Sequence, residues 1–155
     1  MSEYTPKDPG YAARVAASFA RQRFMHTLGA ELAQLAPGQC EIHLPFRPEL
    51  SQQHGFFHGG LVGTLADNAC GYAAYTLMGA SDSVLTVEYK LSLVAPGDGE
   101  RLVALGHVVR PGRTLTTARA DVYVEKAGAR TLCATALATL FTLADKPDTA
   151  PHPTA

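Results

Sequence analysis

Asp67 stands alone in a stretch otherwise free of charged side chains. Between Phe56 and Ala80 there is no other Asp or Glu, and no Lys or Arg. The rest of the stretch is small, apolar or neutral polar, with His58 near its start. Such a run predicts a buried helix, and a carboxylate buried there is costly unless it is paired or used. Asp67 therefore either forms a structural pair, with Thr64, Asn68 or a partner chain, or it does chemistry. The residues just upstream favour chemistry. His58-Gly59-Gly60 puts backbone N–H groups at a helix start, where the helix does not use them and its dipole favours negative charge. Glycine lets a ligand approach the backbone closely. A thioester or amide oxygen placed there is stabilised as it becomes an oxyanion.

The spacing adds a constraint. Asp67 lies eight residues after Gly59, about 12 Å along a helix at ~1.5 Å per residue. One helix cannot flank a single reacting carbon with both groups. Two copies packed antiparallel across a dimer axis bring Gly59 of one chain beside Asp67 of the other, giving two equivalent shared sites.

Other candidates are weaker. His54 and His58 are four residues apart, but no carboxylate or third histidine completes a metal site. His58 is expected to hydrogen-bond the backbone at the helix start. Cys40, Cys70 and Cys133 form no CxxC pair and are odd in number, which argues against a zinc ribbon and a disulfide framework. Cys70, one turn beyond Asp67, reads as a small buried apolar residue. Tyr72, Tyr75 and Leu61 read as core or pocket lining.

The elements that position these residues follow from periodicity and turn residues. Tyr11 to about His26 predicts an amphipathic helix with Ala12, Val15, Ala16 and Phe19 on one side. Leu28–Leu35 and Gln39–Pro45 predict strands around the turn Ala36-Pro37-Gly38. A polar loop, Phe46–Phe57, leads into the long helix from about His58 to Met78. Period two follows: Val87, Tyr89, Leu91 and Leu93 alternate with Glu88, Lys90 and Ser92 within Val84–Val94. Arg101–Arg110, Thr114–Val124 and Arg130–Leu143 complete six strands. The fold class is α+β, one helix wrapped by an antiparallel sheet in a single domain over residues 11–144. Residues 1–10 read as a flexible lead-in and 145–155 as a disordered tail.

The 155 residues, 46% of them apolar, suit one domain with a real core. A net charge of −1 gives no footprint for nucleic acid. The N-terminus lacks a signal-peptide layout, and the apolar Phe56–Ala80 stretch is interrupted by Asp67, Asn68 and glycines. The expectation is a soluble, cytoplasmic protein without membrane contact, whose outer sheet face packs on another subunit.

The segment His58-Gly59-Gly60, Leu61–Thr64, Leu65-Ala66-Asp67-Asn68-Ala69 resembles the signature of hot-dog-fold acyl-CoA thioesterases of the PaaI-like, phenylacetyl-CoA type. Gln52–Phe57 is similar to that family's lead-in. Thr86–Lys90 followed by Ala95-Pro96-Gly97 is similar to its strand after the helix, and Gly112-Arg113-Thr114 to its later turn. The resemblance runs from about Leu28 to Leu143. It implies a central helix in an antiparallel sheet, dimers or a homotetramer built as a dimer of dimers, and hydrolysis of acyl- or aryl-CoA without metal or separate cofactor. It implies Asp67 as general base or nucleophile and the Gly59 amide as oxyanion hole. Where the family commonly has Asn, this chain has Gln52, a longer arm with the same amide chemistry. Thr86 aligns with a hydroxyl residue that in some members supports the attacking water. Gly60 and Gly112 are candidate contacts to the CoA substrate, and Arg110 and Arg113 at the hairpin turn either meet its phosphates or form a solvated turn. The chemistry is coherent: thiolate leaves readily, so one carboxylate base and one oxyanion site suffice. Two alternatives remain open, another acyl-thioester hot-dog enzyme such as a hydratase or dehydratase, and a non-catalytic acyl-CoA-binding or sensing protein. The acyl group is not legible.

Overall fold

The computed structural model describes residues 4–149. Six antiparallel strands form one sheet in the order β1-β2-β4-β5-β6-β3. They are β1 (Glu31–Ala36), β2 (Gln39–Pro45), β3 (Ser83–Leu93), β4 (Arg101–Arg110), β5 (Leu115–Lys126) and β6 (Ala129–Leu143). The long helix α3 (Gly59–Tyr75) lies against the sheet, and two short helices, α1 (Tyr11–Arg21) and α2 (Arg23–Leu28), precede β1. This is the wrapped-helix architecture that the resemblance implies.

The helix is buried for a reason visible in its side chains. Leu65, Ala66, Ala69, Cys70, Ala73 and Ala74 are fully buried, and an apolar helix without a polar face belongs inside. Small residues let it sit close to the sheet. At Gly106 on β4 the approach is closest: a Cβ there would lie 2.1 Å from the Ala69 carbonyl oxygen. Only glycine fits.

Several expected boundaries shift. The helix expected over Tyr11–His26 is two helices, because Gln22 is extended (φ −73°, ψ 94°) and turns the chain. The strand expected from Leu28 begins at Glu31. Gly29 takes a left-handed φ of 77°, and the Gly29 and Ala30 amides bond back to His26 and Met25, closing a Schellman cap on α2. The long helix ends at Tyr75 rather than Met78. There Arg14 takes up the last carbonyls: its Nη2 donates to Tyr75 and Met78, its Nε to Asp8 at 2.8 Å, and its guanidinium stacks 4.2 Å over the Tyr75 ring. A cation at a helix C-terminus is favourable.

The expected lead-in and tail fall partly outside the described residues, at 1–3 and 150–155. Within them, the Tyr4 hydroxyl donates to the Val109 carbonyl at 3.2 Å, and Arg21 pairs with Asp148 at 2.9 Å. No helix among the described residues is long and apolar enough to cross a membrane.

Candidate active site

Strand β3 is an edge strand, and its register carries the main surprise. Opposite β6, Thr86 pairs with Leu140 and Glu88 with Thr139, so Val87 is an extra residue in a β-bulge. Tyr89 and Leu91 face α3, where they would meet a Cβ on Gly63 at 3.3 Å. Uninterrupted alternation would carry Val87, not Thr86, onto that face. The bulge shifts the phase by one residue and turns Thr86 toward the helix. The expected row of Val87, Tyr89, Leu91 and Leu93 is corrected accordingly.

The Thr86 hydroxyl donates to Asp67 Oδ1 at 2.6 Å. Asp67 is half-buried rather than fully buried, and its partner is Thr86; Thr64 and Asn68, the partners of the purely structural alternative, do not pair with it. Those two bond the helix backbone instead, Thr64 Oγ1 to Gly60 and Asn68 Nδ2 to Thr64. Burial raises the Asp67 carboxyl above its ordinary value of 3.8, and the Thr86 hydrogen bond partly opposes that rise. With Oδ1 held, Oδ2 is left for a water or a substrate atom.

At the helix start, His58 is the N-cap. Its Nδ1 accepts from the Gly60 amide at 2.9 Å, which fixes its ring as the expected backbone-positioning histidine. The amides of Leu61 and Val62 donate to the His58 carbonyl. No hydrogen bond among the described residues uses the Gly59 amide. The first turn thus leaves its free donor at Gly59, while Gly60 is committed. A Cβ on Gly59 would meet Leu93 at 3.0 Å, so glycine also keeps this end of α3 close to β3.

Gln52 accepts from the His54 amide through its own Oε1, turned onto its loop. Arg110 and Arg113 are exposed at the β4–β5 turn, without an ion pair among the described residues. Gly112 is required by that turn, since a Cβ would fall 2.1 Å from the Leu115 carbonyl oxygen.

Asp67 and Thr86 open onto a cleft of about 1620 Å³ walled by Asn68, Gly71 and Tyr72 of α3, the α1–α2 elbow and the segment after β6. The turn arginines are not in its lining. The Tyr72 hydroxyl accepts from Gln22 Nε2 at 3.0 Å and lies 3.3 Å from Ser18 Oγ. Nothing in the sequence reading singled out the elbow, because its break has neither Gly nor Pro to mark it. The Cys70 thiol, behind Asp67, is pushed up to about 12 by burial and stays protonated.

Comparison with known proteins identifies the family. The sequence pattern of the Thioesterase superfamily matches residues 54–131, half of the chain. A thioesterase family protein from Silicibacter pomeroyi superposes with a TM-score of 0.85 at 49% identity, over 86% of this chain and 98% of that one. Human acyl-coenzyme A thioesterase 13 is 29% identical over 103 residues, 65% of this chain and 73% of that protein. The PaaI protein of the E. coli phenylacetic acid degradation operon shares the fold at a TM-score of 0.77 and 15% identity, over 88% of this chain and 95% of that one. The chain spans 62% of the length of a putative esterase from Saccharolobus solfataricus. The HGG and LADNA segments both lie inside residues 54–131, and the chain belongs to the thioesterase superfamily.

Proposed function

We propose that the protein hydrolyses acyl- or aryl-CoA thioesters to the free acid and CoA, at a site shared across a homodimer. The observation that carries this reading is a half-buried carboxylate, Asp67, whose one oxygen is held by Thr86 and whose helix begins with an uncommitted Gly59 amide. The acyl-CoA specificity of human acyl-coenzyme A thioesterase 13 and the PaaI-like motif support it.

The proposed mechanism follows from those two groups. Asp67 Oδ2 takes a proton from a water, which attacks the thioester carbonyl carbon. The tetrahedral oxyanion accepts from the Gly59 amide of the partner chain. Collapse breaks the C–S bond, expels CoA thiolate and leaves the acid; the proton on Asp67 returns to solvent or to the thiolate. In the alternative, Asp67 attacks the carbonyl carbon directly, the C–S bond breaks to expel CoA thiolate, and water hydrolyses the resulting mixed anhydride to free acid and Asp67. Gln52 is proposed to position the thioester once it turns from its loop, and His58 holds the Gly60 amide so that Gly59 remains the donor. Gly60, Gly112, Arg110 and Arg113 are proposed contacts to the CoA arm.

The dimer rests on β3. Leu85 and Val87 are each 57% exposed on an edge strand, which invites pairing with another chain. Antiparallel pairing of two β3 strands would set the Leu93 end of one, where Gly59 sits, against the Thr86 end of the other. The exposed Leu115 and Leu137 of the outer sheet face suit a dimer of dimers.

Thiol release from a panel of aryl- and alkanoyl-CoA esters, with wild type and Asp67→Ala in parallel, tests the reading. Loss of turnover in a folded, still dimeric variant supports it, and the panel identifies the acyl class. Equal rates in both proteins remove Asp67 from the chemistry. CoA-ester binding without turnover by wild type makes the protein a binding module.

A further inference from the structure

The α1–α2 elbow places an exposed aromatic ring among basic side chains on the rim of the cleft that holds Asp67. Phe24 is 58% exposed, and Arg21, Arg23, His26 and Lys146 line the same cleft. A phenyl ring left in water is unfavourable, and its position is not set by packing into the core. The charge around it is unbalanced. Arg21 is paired with Asp148, but neither Arg23 nor Lys146 has an ion pair among the described residues. The acids on the cleft are Asp67, at the catalytic end, and the already paired Asp148. An aromatic face beside unpaired cations suits a planar base attached to phosphates: the base stacks on the ring, and the phosphates take the charge-assisted hydrogen bonds.

We infer that the elbow is the seat of the nucleotide end of CoA, with adenine against Phe24 and the neighbouring phosphates on Arg23 and Lys146. The inference rests on the acyl-CoA reading above and makes it more specific. The exposed rim suits a bulky, hydrated nucleotide, whereas the inner cleft by Asn68, Gly71 and Tyr72 suits the narrower acyl group or pantetheine arm. Arg21, Arg23, Phe24 and Lys146 all fall outside residues 54–131, so this recognition lies outside the matched segment. It is compatible with a role for Arg110 and Arg113, since CoA carries a diphosphate and a separate 3′-phosphate.

The test is titration calorimetry of free CoA and of pantetheine against the full-length protein, wild type, Arg23→Ala and Phe24→Ala, with far-UV dichroism to confirm folding. Both sites are exposed, so the variants are expected to fold. Each variant is expected to weaken CoA about tenfold and leave pantetheine unchanged, and the CoA affinity of wild type is expected to fall more steeply with salt than that of Arg23→Ala. Unchanged CoA affinity in both variants, no measurable CoA binding by wild type, or equal weakening of pantetheine would each overturn the inference. So would a result in which Arg23→Ala leaves free CoA binding intact but slows hydrolysis of esters with a carboxylate-ended acyl group, since that places the cation at the acyl end. Because CoA binding is read without turnover, a wild type that binds CoA through Arg23 and Phe24 but hydrolyses nothing keeps the nucleotide seat and removes only the hydrolase.

Discussion

The two long sides of α3 do different work. Toward β4, Ala66, Ala69, Cys70 and Ala73 are fully buried, and the Ala69 carbonyl sits where any side chain at Gly106 would be. Toward β3, the same helix presents Gly59, Gly63 and Asp67, and the strand it faces is exposed from Leu85 to Lys90. One side has no spare volume, so it fixes where the helix lies. The other keeps space, a carboxylate and an unused amide. The rigid side makes the open side usable, because a catalytic group must be held to within a fraction of an ångström.

Asp67→Asn is the sharpest way to break this contrast. Turnover should fall about a thousandfold, the scale of a lost general base, while the fold survives. The raised folded-state carboxyl sets the sign of the stability effect. A group whose pKa is raised on folding contributes stability that is present below its unfolded value and is lost as pH rises through the folded value. Wild type loses that contribution as pH rises through its raised folded-state value, and neutral Asn has nothing to lose. Melting curves should therefore move in favour of Asp67→Asn as pH rises above the ordinary Asp value of 3.8. A variant that becomes relatively less stable over that range would refute the burial of this charge. In wild type, turnover should rise with pH through a midpoint above the ordinary Asp value.

On the closed side, Gly106→Ala should cost about 3 kcal/mol or more, since backbone, not a flexible side-chain tip, is in the way. Chemical denaturation would show it, and a near-neutral result would mean that the helix is not held where described. Thr86→Val should lower turnover about tenfold by freeing Asp67 Oδ1. It should also move the pH midpoint upward, because the hydroxyl is what opposes the burial shift. The smallest change is expected at Gly63→Ala. Its Cβ would meet only the ends of Leu91 and Tyr89, at 3.3 Å, and flexible tips can give. Less than about 1 kcal/mol of stability should be lost.

The same contrast explains what could be read from the sequence. Asp67 and the His58-Gly59-Gly60 start were legible because a lone charge in an apolar run and a paired glycine are rare choices with few causes. Strands β2 and β4 were legible to the residue, since turn residues bound them. The Val87 bulge was not, because the run of Val87, Tyr89, Leu91 and Leu93 alternates without a break and cannot say which residue is extra. Gly106 carried no signal, as a strand glycine has many explanations until its neighbour is known. The role of Arg14 at the end of α3 joins residues sixty positions apart, which no local pattern encodes. Gln22 turns the chain without a breaker residue, so the elbow and its cations were missed together.

Strand β3 has something like a reading frame. From Tyr89 to Leu93 it is read in one phase and from Thr86 back to Val84 in the other, with Val87 as the inserted letter. Changing that letter to another β-former should matter little, because the bulge and not the side chain sets the phase. Deleting it would join Glu88 to Thr86, and plain alternation back from Tyr89 would still print Thr86 on the inner face, opposite Leu140. What would print Thr86 outward is the opposite change, drawing Val87 into the ladder so that the two phases become one.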